Sequence, residues 1–443
     1  MIKSDTIYAL STILGKSGVA IIRVSGDECC QIARKYGFID KISAGRMFKH
    51  KLISIVDGNL IDDCLIACFK APHSFTGEDI LEFQTHGSVA VIKKILVELA
   101  DMDGVRVADP GEFSRRAFLN GKMDLSQAEG LVALIESETE IQRQIAARQM
   151  SGEQGNLYEG WRLSLITILA QLEALIDFPT DDIPENALYI AQQEIESVLS
   201  SIKQHIEQGN RSEIIQRGIR VAIIGEANAG KSTLLNALAR RDVAITSEIA
   251  GTTRDVIEVK LDITGFPFII YDTAGIRESS DIIEQEGIKR SYRALENADL
   301  CLLVVDVTVA MPQELIKHIE FLQKPFVIIY NKTDLSDDVN SLAGGIKLGR
   351  IKNGPELNNI IEYLRNYAVD TYAPTSEPLL TSERHRVHLC EASIYLEGFD
   401  ANYPIDIASE YIRMAANSLG QIVGKIDVDE ILDAIFSSFC IGK

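Results

Sequence analysis

The segment Gly225-Glu226-Ala227-Asn228-Ala229-Gly230-Lys231-Ser232 constrains this chain more than any other, because it satisfies G-x-x-x-x-G-K-[ST] at every specified position. Its flanks agree with it. Arg220 to Ile224 reads as a buried strand and Ser232 to Leu238 as the helix that follows. Glycines let successive backbone N–H groups curl around phosphate oxygens, and the new helix points its positive end at the same place. In such a loop Lys231 reaches the β- and γ-phosphates and the Ser232 hydroxyl ligates Mg²⁺.

Three further segments follow in the order that GTP cleavage requires. Asp272-Thr273-Ala274-Gly275 closes the strand-like run Phe268 to Tyr271. An Asp there can hold Mg²⁺ through water, and the glycine N–H can sense the γ-phosphate. Asn331-Lys332-Thr333-Asp334 closes the apolar run Phe326 to Tyr330. Its Asp can accept from N1–H and the exocyclic amine of guanine, a donor pair that adenine lacks, so adenine would leave a buried carboxylate unpaired. That argues against a phosphate-loop ATPase. Between these lies Gly251-Thr252-Thr253-Arg254-Asp255, a switch-like segment in which Thr253 is the candidate second side-chain ligand for Mg²⁺.

Two details bear on mechanism. Ile276 follows Gly275, where a water-orienting Gln is found in Ras-type enzymes, so another polar group must orient water. Glu284, in the charged stretch Arg277 to Glu286, can do so, although from the residues alone a solvated charge of a switch is the preferred reading. Asn228 can bind a monovalent cation through its amide oxygen, supplying positive charge beside the phosphates. A further base-contacting loop is expected at Lys347-Leu348-Gly349-Arg350-Ile351-Lys352, in an eroded form.

At 443 residues the chain has room for several domains. No apolar run approaches the ~20 residues of a membrane span, and Met1 to Ala20 lacks a secretory pattern, so cytoplasmic residence is expected. The net charge is −20, and residues 1–120 carry 15 basic and 15 acidic side chains, so the acidity lies entirely beyond them. Indiscriminate nucleic-acid binding is thereby excluded, and any RNA must meet a local basic patch. The seven cysteines show no C-x-x-C pair; Cys64 and Cys68 read as core residues of a strand. His385 and His388, three apart, read as a helix surface rather than a metal site.

Residues 1–120 read as mixed strands and helices, with Gly18 to Val24 and Leu60 to Phe69 strand-like and Val89 to Leu99 helical. Residues 121–215 turn helical. Leu157, Trp161, Leu165, Ile168, Leu172 and Leu175 form one apolar stripe, and Ile195, Val198, Leu199, Ile202 and Ile206 another. Phe178 to Pro184 separates the two. Residues 216–372 predict a doubly wound α/β unit with a largely parallel sheet, and residues 373–443 return to a helical pattern. Helices on both sides of a self-contained α/β unit need partners for their apolar stripes. One discontinuous helical domain with the nucleotide domain inserted in it is the economical arrangement.

Beyond these motifs stand Ser74-Phe75-Thr76-Gly77-Glu78-Asp79, the run from Pro110 to Glu129, Asp177-Phe178-Pro179, and Phe439-Cys440-Ile441-Gly442-Lys443. With them the chain resembles the MnmE (TrmE) family of tRNA-modifying GTPases over essentially its full length. The resemblance implies a multidomain fold: an α+β folate-binding N-terminal domain that makes a homodimer, a discontinuous helical domain, and an inserted Ras-like α/β G domain. It implies binding of a 5-formyl- or 5,10-methylene-tetrahydrofolate. It also implies a heterotetramer with an FAD-dependent partner (MnmG, or GidA) that installs an aminomethyl or carboxymethylaminomethyl group at C5 of the wobble uridine of certain tRNAs. Folate positions fall on Arg23, Glu82, Lys122 and Lys443. GTP contacts fall on Asn228, Ala229, Gly230, Lys231, Ser232 and Thr233, on Ser247, Glu248, Ile249, Ala250, Gly251, Thr252 and Thr253, on Asp272 to Gly275, and on Asn331 to Asp334. Mg²⁺ falls to Ser232 and Thr253, K⁺ to Asn228, Ser247, the Ile249 carbonyl and Thr252, and water positioning to Glu284. Cys440 is a candidate thiol beside the folate. The rival reading is a GTPase that switches ribosome assembly, and folate binding separates the two.

Overall fold

The computed structural model describes residues 5–42, 45–177, 187–241, 243–245, 258–272, 295–335, 344–349, 356–373, 380–426, 432, 435–436, 439 and 442. The chain divides into two compact units, one of Met1–Val132, Met150–Ala174 and Ser409–Lys443, the other of Ala133–Gln149 and Leu175–Ala408.

The first unit is built on a six-stranded sheet of β1 (Thr6–Leu10), β2 (Ser17–Ser25), β3 (Arg46–Ile53), β4 (Leu60–Phe69), β5 (Ile80–Gly87) and β6 (Val105–Val107). Its order is β3-β4-β5-β2-β1-β6. All neighbours are antiparallel except β1 and β6. Alternation decides its faces. Ala20, Ile22 and Val24 of β2 and Leu81 and Phe83 of β5 turn into the core, against Ile92, Ile95 and Leu99 of the helix Val89–Ala100. Arg23 and Glu82, one residue out of step, belong to the opposite face. Cys64 and Cys68 are buried in β4, as their strand reading expects.

The stripe expected on the helix Glu153–Asp177 is buried at Leu165, Ile168 and Leu172, but it begins with Gln154 and Tyr158 rather than Leu157. Tyr158 takes the inward place, with its ring centre 5.8 Å from that of the half-buried Trp161. This helix meets the helix Ile405–Val423 and the residues just beyond it through Arg413–Glu173 at 2.8 Å and Lys425–Glu159 at 2.6 Å.

In the second unit the helix Ala187–Arg217 packs along the helix Glu383–Glu397. Lys203 pairs with Glu397 at 2.6 Å, and Leu380 closes against Gly209. In each unit, then, a helix from before the nucleotide segment pairs with one from after it. The surface reading of His385 is corrected here: it is fully buried. Burial first, and the neighbouring His385 second, push the His205 imidazole down to about 4. These imidazoles serve packing between the paired helices.

The second sheet contains β7 (Ile219–Ile224), β8 (Glu258–Ile263), β9 (Phe266–Asp272), β10 (Leu300–Asp306), β11 (Phe326–Asn331) and β12 (Gly345–Lys347), in the order β12-β11-β10-β7-β9-β8. Every pair is parallel except β8 with β9. The chain leaves β7 toward β8 and β9 on one side and returns to β10 on the other. The carboxyl ends of β7 and β10 therefore flank a topological switch point, where open α/β sheets bind ligands. Among the described residues no helix is long and apolar enough to cross a membrane, and no group of three or more His, Cys, Asp or Glu is placed to hold a metal.

Candidate functional site

The glycine-rich loop leaves β7 at that switch point. Gly225 has φ +151°, and a Cβ there would lie 2.2 Å from the Val304 carbonyl oxygen of β10. Only glycine lets the two strand ends close to this distance. Asn228 and Gly230 also take positive φ, 61° and 102°. Gly230 opens the helix Lys231–Ala239, and no side chain caps it. A helix start without a side-chain cap suits an anion. Lys231 is 8% exposed, and its Nζ donates to the carbonyls of Gly225 at 2.9 Å and Glu226 at 2.8 Å. The ammonium is held across the mouth of the loop. Ser232 and Thr233 are exposed at the helix start, and Asn228 is exposed on the loop. The phosphates of a nucleoside di- or triphosphate, with a divalent ion at Ser232, suit this donor set.

The turn after β11, where guanine contacts are expected, joins the loop. Asn331 is buried and its Nδ2 donates to the Ala229 carbonyl at 2.7 Å. Lys332 sits at φ +60°, a left-handed conformation that costs a non-glycine residue about 1–2 kcal/mol. Its Nζ lies 2.5 Å from Asp306 Oδ2. Burial alone would raise the Asp306 carboxyl, but hydrogen bonds from Lys332 and Thr308 outweigh it and hold the group below the ordinary range. The expected base-contacting loop adjoins the turn: Thr333 N–H donates to the Leu348 carbonyl, and a Cβ on Gly349 would lie 3.9 Å from the Asp334 Cβ. The Gly349 amide is taken by Glu356 Oε2 at 2.7 Å.

In the first unit Arg23 and Glu82 face each other across β2 and β5, with Nε donating to Oε1 at 2.9 Å. The Arg23 guanidinium lies 5.4 Å from the Phe75 ring centre and 5.8 Å from that of Phe113, within cation–π range. Phe75 belongs to the loop between β4 and β5, and Lys122 reaches the same loop, donating to the Pro72 carbonyl at 2.8 Å. That loop is tied to the helix Glu112–Leu119 by Arg116, which contacts both Glu78 (3.1 Å) and Glu112 (2.9 Å). Ser25 donates to Glu78 Oε2 at 2.7 Å, and Asn120 donates to the Thr76 carbonyl. Two distant signature runs, Ser74 to Asp79 and Pro110 to Glu129, are thereby one structure. The carboxyl tail joins them: Gly442, at φ +100°, packs on Leu10, where a Cβ would lie 2.3 Å from the carbonyl oxygen, and Ser11 Oγ donates to the Gly442 carbonyl at 2.9 Å. Leu10 follows Ala9, the β1 partner of Arg23. Guanidinium, carboxylate, ammonium and two aromatic rings suit a ligand with an aromatic donor–acceptor edge and an acidic tail, as a reduced folate has.

Ser247 to Thr253, Thr273 to Gly275, Glu284, Cys440 and Lys443 lie outside the described residues, as does the side chain of Asp272, whose backbone ends β9 beside β7. Sequence reading missed Asp306 and Arg116. A lone Asp or Arg carries no motif; the usable signal for Asp306 was its place at the end of an apolar run.

A model of the MnmE helical domain matches residues 125–440, and a model of the GTP-binding protein TrmE N-terminus matches residues 6–122. The tRNA modification GTPase MnmE of Rickettsia bellii (strain OSU 85-389) is 42% identical over 448 residues, covering 99% of this chain and 100% of its own length. The protein of the same name from Wolbachia pipientis subsp. Culex pipiens (strain wPip) is 43% identical over 452 residues and 99% of each chain. That from Orientia tsutsugamushi (strain Boryong) is 43% identical over 447 residues, 99% of this chain and 100% of its own.

Proposed function

We propose a function from one premise: the chain belongs to the MnmE (TrmE) family of tRNA modification GTPases, and its GTP cleavage serves a one-carbon transfer to the wobble uridine of certain tRNAs. The observation that carries the reading is the convergence of Phe75, Phe113 and Glu82 on Arg23, with the tail glycine docked on the neighbouring strand. Lys122 holds the acidic tail of a reduced folate, and Glu82, with Arg23 fixed beside it, accepts from its amino-pyrimidine edge. The family resemblance assigns Lys443 and the Cys440 thiol to the same site. The folate, when bound, supplies the one-carbon unit. An FAD-dependent partner supplies the redox chemistry, and the chain works in the cytoplasm as a homodimer within a larger assembly with that partner.

In the nucleotide unit Lys231 and the loop amides bind the phosphates, and Asn331 to Asp334 select guanine. Ser232 and Thr253 would hold Mg²⁺. Asn228, Ser247, the Ile249 carbonyl and Thr252 would hold K⁺, which adds positive charge at the phosphates where an arginine finger acts elsewhere. Glu284 orients the attacking water. Turnover is therefore expected to be much faster in K⁺ than in Na⁺, and Glu284→Ala to keep GTP affinity while losing turnover; equal rates in both salts, or full turnover in the variant, would remove these roles.

Calorimetric titration with 5-formyltetrahydrofolate tests the folate reading. The wild-type chain should bind, and Arg23→Ala should bind roughly tenfold or more weakly, the worth of a charge-assisted hydrogen bond. A wild-type chain that takes up no folate leaves the ribosome-assembly switch as the better account.

A further inference from the structure

We infer that Asp306 is a positioning residue for guanine recognition, clamping the turn Asn331 to Asp334 through Lys332. β10 and β11 run parallel with Asp306 level with Asn331, so the carboxylate ends its strand beside the first residue of the turn. It is itself fixed: Thr308 donates to Oδ1 through its N–H at 2.9 Å and its hydroxyl at 2.7 Å. Oδ2 is thereby aimed at Lys332 Nζ, 2.5 Å away.

Lys332 needs such a hold. Its φ of +60° is unfavourable for a residue with a side chain, and strained backbone persists only where surroundings over-determine it. Asn331 is anchored to the phosphate loop at Ala229. Asp306 anchors the next residue to the sheet. Two successive fixed points leave Asp334 preorganised for the base, and preorganisation raises affinity by removing an ordering cost at binding. Asp306 is nearly buried, which strengthens the charge-assisted contact.

The inference rests on reading Asn331 to Asp334 as the guanine turn, and the test separates the two. Fluorescent GDP would be titrated into full-length wild type, Asp306→Asn, Lys332→Gly, the double variant and Asp334→Ala, with GTP kinetics on each. Asp306→Asn is expected to weaken GDP roughly tenfold and raise KM in proportion, with kcat at saturation retained. Glycine accepts the left-handed φ without strain, so on the Lys332→Gly background Asp306→Asn should add no further loss. Additive losses, or a fall in kcat in place of the rise in KM, would overturn the clamp. Asp334→Ala should weaken GDP whatever Asp306 does. If it binds like wild type, the guanine turn is misassigned and the clamp falls with it; if it weakens while Asp306→Asn does not, the clamp alone fails.

Discussion

The phosphate loop and the surroundings of Arg23 hold their cations by contacts of very different reach. Lys231 donates to carbonyls only six and five residues back along the chain. Arg23 pairs with a carboxylate 59 residues away, Arg116 with Glu78 38 residues away, and Ser11 with a glycine 431 residues away. The loop is a local object, set by glycines and a helix start. The Arg23 region is assembled by sheet register and tertiary contact. A local site can lose its function without disturbing the fold, whereas a site assembled from distant segments shares its side chains with the fold and should lose both together.

That contrast can be broken by experiment. The largest effect is expected from Lys231→Ala, which should weaken GTP binding roughly 10–100-fold, the loss of about 1.5–3 kcal/mol of charge-assisted bonding, with little change in the urea unfolding midpoint. A comparable loss of stability would show that the loop is not local in its energetics. Arg116→Ala should instead destabilise the chain by roughly 1–3 kcal/mol, because it strands Glu78 and Glu112, both largely buried, without their shared partner; the cost is kept below that of a fully buried pair by their residual exposure. Urea unfolding reads this directly, and folate affinity should fall with it. Unchanged stability would break the coupling between site and fold.

The smallest effect is the acid dependence of the same cluster. Burial by itself would raise the Glu112 carboxyl, but Arg106, the Asp109 amide and Arg116 outweigh it and leave it below the usual 4.5. A group with a depressed folded value stabilises the fold fully above its unfolded value, and that contribution is lost as pH falls through the folded one. Wild type should therefore lose more stability than Glu112→Gln as pH drops below 4.5. Parallel losses would mean that Glu112 contributes nothing through its charge.

Locality also explains what the sequence disclosed. The strand–loop–helix around Gly225 and the Asn331 turn are legible because spacing alone dictates their backbone. The strands β2 and β4 and the helix Val89–Ala100 are legible by periodicity. The Arg116 hub is not, since nothing in Pro110 to Glu129 indicates that Glu78 is its partner. Nor is the burial of His385: its helix pairs with one from the far side of the inserted unit, and the stripe of one helix does not reveal where its partner's contact will fall. The inward place of Tyr158 instead of Leu157 is hidden as well, since positions 154, 158, 161 and 165 keep helical spacing as well as 157, 161 and 165 do.

On the proposed function, GTP cleavage at Lys231 and folate binding at Arg23 serve one reaction on tRNA. Mass spectrometry of wobble-uridine nucleosides from strains whose only copy carries Lys231→Ala or Arg23→Ala tests it most directly. The C5 modification should be lost in both. Full modification in either strain would contradict it.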